Sequence, residues 1–131
     1  MGRVAVVTGG GSGLGRSICQ HLARQGRRVG VLDLDGEAAK TVAANLSAAG
    51  ARTCAVEVDV SDQIAVNAAF DEVRWDLGPI EILVTSAGVS GFTPFEDITL
   101  EEWNRYLAVN LTGTFLCLQA AIPDMVGAGW N

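Results

Sequence analysis

Basic side chains are scarce: 9 Lys and Arg stand against 15 Asp and Glu over 131 residues, a formal charge of −6, and the only lysine is Lys40. A nucleic-acid surface needs a basic stripe on one face, and cations this few and scattered along the sequence argue against that partner. Histidine occurs once, as His21, with no carboxylate or cysteine spacing around it that would build a metal site or a triad, so a helix-surface or packing role is expected. Cys19, Cys54 and Cys117 are an odd, widely spaced set that fits neither a disulfide framework nor a zinc motif. Buried free thiols are expected, since free cysteine packs like a small hydrophobe, and no metal is expected. No unbroken run approaches the roughly 18 apolar residues of a membrane span, and the chain opens on a strand at Arg3 instead of a basic leader before an apolar core. A cytoplasmic protein without a membrane partner is therefore expected.

What is present is glycine in one place. Val4-Ala5-Val6-Val7-Thr8 runs as an apolar strand into five glycines within Gly9–Gly15, followed by a helix-forming segment. Without a Cβ at Gly9, Gly13 and Gly15 the chain can turn sharply, admit a pyrophosphate and seat the helix against the strand. The N–H groups that open that helix would face the anion. Downstream, β-branched runs alternate with Ala-rich helical stretches, the pattern of βαβ units and a parallel sheet. Strands are expected near 3–8, 29–33, 53–59 and 80–85, and helices near 14–25, 37–49, 62–76 and 100–122. Gly26 and Gly50 stand where helices would end, and Ser61 and Thr99 where they would be N-capped. The hydrophobic content of 49% suits a single α/β domain over residues 1–131. Right-handed crossovers give a doubly wound, three-layer αβα sheet of Rossmann type ordered 3-2-1-4, with a ligand crevice at the carboxyl ends of strands one and four. The fourth strand is apolar enough to be covered on both faces, so it is not expected to be a natural sheet edge.

Thr8-Gly9-x-x-x-Gly13-x-Gly15 resembles the fingerprint of the short-chain dehydrogenase/reductase family, and the resemblance runs from the first strand to the last residue. It implies an oxidoreductase that binds a nicotinamide dinucleotide, with Gly9, Ser12, Gly13, Leu14 and Gly15 around its pyrophosphate. Asp33 closes the second strand 18 residues after Gly15, at the ribose position. A carboxylate there accepts hydrogen bonds from the ribose hydroxyls of NAD and repels the extra phosphate of NADP. The positions where NADP users of the family carry a basic residue hold Gly10, Gly11, Ser12 and Leu34, so NAD is the expected cofactor. Asp59-Val60 resembles the family's adenine-contacting pair, although Asp59 or Ser61 equally suits a helix cap. Thr85-Ser86-Ala87-Gly88 stands where the family usually has Asn-Asn-Ala-Gly, which keeps Ser86, Ala87 and Gly88 as a cofactor wall and loses two bracing amides. Asn110 matches the helix asparagine that holds a water in the family's proton relay, and it is the one catalytic position carried over.

The family's proton donor is absent. Its serine, tyrosine and lysine four residues on have no match, because the only tyrosine, Tyr106, has Asn110 four residues on and Lys40 lies far away. The chain therefore looks like an incomplete, cofactor-holding portion, truncated after the fourth helix and inactive alone, of an enzyme that transfers a hydride between nicotinamide and an alcohol or carbonyl substrate. A non-catalytic NAD(H)-binding module and a self-associating structural fragment are the alternatives. A phosphohydrolase reading of Gly10–Ser17 founders on Arg16, whose planar fork replaces the flexible lysine of a P-loop. In family members the helix near 100–122 packs against its counterpart in a homo-oligomer. Here its Leu107, Leu111, Phe115 and Leu118 recur at helical spacing and are expected in the core, with a partner as the alternative. Trp75, Trp103 and Trp130 are expected to be packing groups, and 125–129 a frayed helix end. Leu14 and 89–92 would border the nicotinamide end, and the substrate itself stays open.

Overall fold

A computed structural model describes residues 2–129. Its four parallel strands are β1 (Val4–Thr8), β2 (Arg28–Asp33), β3 (Thr53–Glu57) and β4 (Ile80–Thr85), in the expected order β3-β2-β1-β4. The helices are α1 (Gly13–Arg24), α2 (Gly36–Ala48), α3 (Gln63–Leu77), α4 (Leu100–Tyr106) and α5 (Gly113–Gly127). All five residues of β1 are buried, and their side chains divide between two cores as strand alternation requires. Val4 and Val6 join Phe70, Val73 and Leu116 beneath α3 and α5, while Val7 joins Cys19, Val31 and Val42 beneath α1 and α2. Both faces of the sheet are therefore covered, and the three-layer architecture follows.

Local punctuation explains most element ends. α1 and α2 close at Gly26 and Gly50, whose φ angles of 79° and 98° only glycine adopts without strain. Thr99 caps α4 by accepting the Glu102 N–H at 3.1 Å. Ser61 is not the cap of α3: Asp62 accepts the Ala65 N–H at 3.1 Å, and the Ser61 hydroxyl turns back to Asp59. Pairing of β3 ends at Glu57, before the expected 59, and the chain continues alongside β2 through Val58 N–H to the Asp33 carbonyl.

The last helical stretch departs most from expectation. One regular helix over 100–122 is replaced by α4, a π-helical segment over Leu107–Thr112, and α5 reaching Gly127 with Pro123 inside it. Residues 125–127 are helical, not frayed. The face also turns: Leu116, Cys117 and Ala121 enter the core, whereas Leu107, Leu111, Phe115 and Leu118 are exposed. The π segment resets the helical phase, which heptad-like spacing could not anticipate. Leu100–Gly127 is by length and composition also long and apolar enough to cross a membrane, a property no unbroken run in the sequence signals. It packs along β4 and α3. Trp75 and Trp103 are exposed instead of packed, and Trp130 lies outside the described residues.

Arg74 ties together the elements around the α3–α5 core. It donates to Asp124 Oδ2 at 2.8 Å and to the Ala120 carbonyl at 2.6 Å, and the same carboxylate oxygen accepts the Ile80 N–H at 2.9 Å. One ion pair thus fastens α3, α5 and the start of β4.

Candidate functional site

The carboxyl ends of all four strands open onto one cleft of about 730 Å³, within the roughly 300–1,000 Å³ typical of ligand sites. The turn after β1 is possible only with glycine. Gly9 sits at φ 64°, and a Cβ there would lie 2.8 Å from the Ala87 backbone, while one at Gly15 would strike the Gly9 carbonyl. The loop, the start of α1 and the chain leaving β4 therefore approach more closely than any side chain permits. Ser12 is the N-cap of α1 but makes no side-chain cap bond, and the first turn holds no acid. The N–H groups of Gly13, Leu14 and Gly15 precede the first intrahelical bond, Arg16 N–H to the Ser12 carbonyl, and remain available to an anion.

Asp33, half-buried at the end of β2, accepts the Gly11 N–H on Oδ2 and the Asp35 N–H on Oδ1, both at 2.9 Å. Two amides thus fix the carboxylate at the cleft wall, and each oxygen keeps a lone-pair site for a ligand hydroxyl. Leu34 lines the same wall. Across the cleft, Asp59 Oδ1 accepts the Ser61 hydroxyl at 2.7 Å and the Ser61 N–H at 2.9 Å. These bonds, led by the hydroxyl and helped by Arg105, hold its carboxyl below the usual carboxylate range. Val60 is buried beside it.

The chain leaving β4 is braced from both sides without the usual amides. Thr8, the one buried polar residue of the described core, accepts the Ala87 N–H on Oγ1 at 3.1 Å. Asn110, on the π segment, closes a two-bond ring on Val89: Oδ1 accepts its N–H at 2.8 Å and Nδ2 donates to its carbonyl at 2.9 Å. A Cβ on Gly88 would stand 3.2 Å from Asn110 Oδ1. The Asn110 side chain is thus occupied in positioning the cleft wall.

Gly9, Ser12, Gly13, Leu14, Gly15, Asp33, Leu34, Asp59, Val60, Ser86, Ala87 and Gly88 all line this one cleft; Asn110 stands behind it. Sequence reasoning missed Arg105, Ala108 and Val109, which close the cleft from α4 and the π segment, and the bracing role of Thr8. A polar residue ending an otherwise apolar strand was the available signal for Thr8. Arg105 carried none. Tyr106 and Lys40 do not meet: Tyr106 donates to Glu102 Oε1 at 2.6 Å, which pushes its pKa above the usual phenol value, and Lys40 pairs with Glu37 along α2. A tyrosine acting as general acid near neutrality needs the opposite shift.

Over residues 3–130 the sequence matches the short chain dehydrogenase family. It is 42% identical over 128 residues to a D-threitol dehydrogenase of Mycolicibacterium smegmatis, covering 98% of this chain and 49% of that protein. A sorbitol dehydrogenase of Cereibacter sphaeroides is 35% identical over 130 residues, again 98% of this chain and 49% of the relative. The fold superposes on a crystal structure of a 3-ketoacyl-ACP reductase from Sinorhizobium meliloti with a TM-score of 0.93 and 37% identity, covering 96% of this chain and 50% of that one. The chain spans about half the length of these relatives. The match over residues 3–130 and the superposition on the reductase agree, and this chain belongs to the short-chain dehydrogenase/reductase family.

Proposed function

We propose that this chain is the dinucleotide-holding portion of an NAD(H)-dependent oxidoreductase acting on a small alcohol or carbonyl substrate in the cytoplasm. The observation that carries the reading is Asp33, held by the Gly11 and Asp35 amides at the cleft wall, with Gly10, Gly11, Ser12 and Leu34 at the positions where NADP users of the family carry a basic residue. No cation stands among those neighbours to receive a 2′-phosphate, and the carboxylate repels one. The Cβ-free cradle at Gly9 and Gly15 and the open N–H groups of α1 suit a pyrophosphate. Asp59 and Val60 suit an adenine edge and face. When bound, the nicotinamide supplies the hydride acceptor or donor. Asn110 positions the wall at Val89, and its match to the family's helix asparagine supports a place in the proton relay. The proton donor is not among these residues, since the Tyr106 hydroxyl is committed to Glu102. This chain alone is expected to bind cofactor without turnover.

Calorimetric titration with NADH and NADPH tests the reading. NADH should bind at least tenfold more tightly than NADPH, and Asp33→Ala should narrow or reverse that gap. Equal affinities unaffected by the variant would contradict it.

A second observation favours assembly as a homo-oligomer: Leu111 and Phe115 are 66% and 58% exposed on the helical face where family members pair. That role is compatible with cofactor binding.

A further inference from the structure

The cations that look scattered in sequence converge in space. Arg24, Arg27, Arg28 and Arg52, four of nine basic side chains, line a cleft of about 500 Å³ at the amino ends of the strands, remote from the glycine loop. The cleft lies between the last turns of α1 and α2 and the residues opening β2 and β3, and no carboxylate lines it. None of the four guanidiniums is in an ion pair among the described residues, whereas Arg3, Lys40 and Arg74 each are. Arg28 donates to the Gly2 carbonyl at 2.8 Å and to the Leu77 carbonyl, and Arg52 to the Asp76 carbonyl at 2.8 Å. These neutral acceptors orient two guanidiniums without cancelling their charge. Arg24 and Arg27 make no side-chain hydrogen bond among the described residues, and Arg27 Nε is buried without a partner.

A cation in the last turn of a helix complements its dipole, which accounts for Arg24. It does not account for four arginines in a chain of charge −6. Four carbonyls at these helix ends have backbone partners: Ala23 and Leu22 of α1 accept the Gly26 and Arg27 N–H groups, and Ser47 and Leu46 of α2 accept those of Gly50 and Ala51. With four guanidiniums and no carboxylate among its lining residues, the cleft carries an excess of donors on positive charge. Guanidinium forks meet phosphate oxygens two at a time, and a compact anion of high charge would relieve the mutual repulsion of four such groups.

We infer that this cleft binds a pyrophosphate group, with Arg24 and Arg27 as the forks without a hydrogen-bond partner among the described residues and Arg28 and Arg52 as charges held by backbone carbonyls. The group can arrive as free pyrophosphate or as part of a nucleoside diphosphate. The inference does not rest on the cofactor reading. Residue-resolved NMR of the 131-residue chain, titrated with sodium pyrophosphate and separately with ADP, tests it and keeps the two sites apart. Saturable shifts are expected at the Gly26, Arg27 and Gly50 amides and the Arg24 and Arg27 Nε groups. Arg24→Gln/Arg27→Gln should weaken them at least tenfold while any shifts at Gly9–Gly15 persist. Tighter binding of ADP would point to the nucleotide, equal binding to the free ion. If the double variant loses its fold, visible in the same spectra, the exposed Arg24→Gln alone should weaken binding at least threefold. Absence of saturable shifts at Gly26, Arg27 and Gly50 in both titrations would overturn the inference, as would shifts reproduced by potassium chloride of equal ionic strength or retained in the folded variants.

Discussion

Thr8 has the most demanding position of any single side chain in the site. Its Oγ1 is the acceptor for the Ala87 N–H, and both lie where strands β1 and β4 deliver the chain to the cleft. Thr8→Val keeps the shape and removes the acceptor, leaving a part-buried amide unsatisfied at a cost of about 1–3 kcal/mol. Thr8→Ser keeps the acceptor and loses one methyl, at about 0.8 kcal/mol. Urea unfolding should place the valine variant below the serine variant, with NADH affinity falling in the same order; equal stabilities would remove Thr8 from the bracing role. Asp33 is the opposite kind of residue, legible from its spacing alone because the chain must end a strand at a fixed distance from the glycine turn. Asn110 was legible as a position and not as a geometry. Its partner is the Val89 backbone, which no residue pattern encodes.

At the scale of elements, the four strands and first three helices were readable because period, glycine stops and polar caps agree with one another. Strand order followed from handedness rules. The largest disagreement lies in the stretch from Leu100 to Gly127, where apolar residues surround the helix and a π segment shifts its phase. Apolar spacing cannot choose between a buried face and an exposed one when both qualify. What fixes α5 in place is instead the Arg74–Asp124 pair, which joins it to α3 and to the first residue of β4. Asp124→Ala strands the Arg74 Nε donor and the Ile80 N–H together and should cost about 2–3 kcal/mol in denaturant unfolding. A loss below about 0.5 kcal/mol would show that apolar packing alone seats α5.

The molecule as a whole leaves two apolar surfaces without partners of their own. One is the outer edge of β4, half-buried and unpaired on one side, and the other is the face bearing Leu111, Phe115, Leu118 and Ile122. An unpaired strand edge and a contiguous apolar face both favour association. The chain should therefore self-associate in sedimentation experiments, and Phe115→Glu should weaken that association at least tenfold, about 1.4 kcal/mol. A monodisperse monomer across micromolar to millimolar concentrations would contradict this. The cleft is separate from both surfaces, since neither a residue of β4 nor Leu111, Phe115, Leu118 or Ile122 lines it.

That independence leads to the most direct measurement. Amide-resolved NMR of the chain with saturating NADH should move resonances at Gly9–Gly15, Asp33–Leu34, Asp59–Val60 and Ser86–Gly88 together, with one dissociation constant. Such coherence would mean that four segments, from Gly9 to Gly88, form a single dinucleotide site. Binding without shifts at Asp33 and Gly13–Gly15, or no binding at all, would mean that the cleft is the inherited shape of the fold and not a working cofactor site.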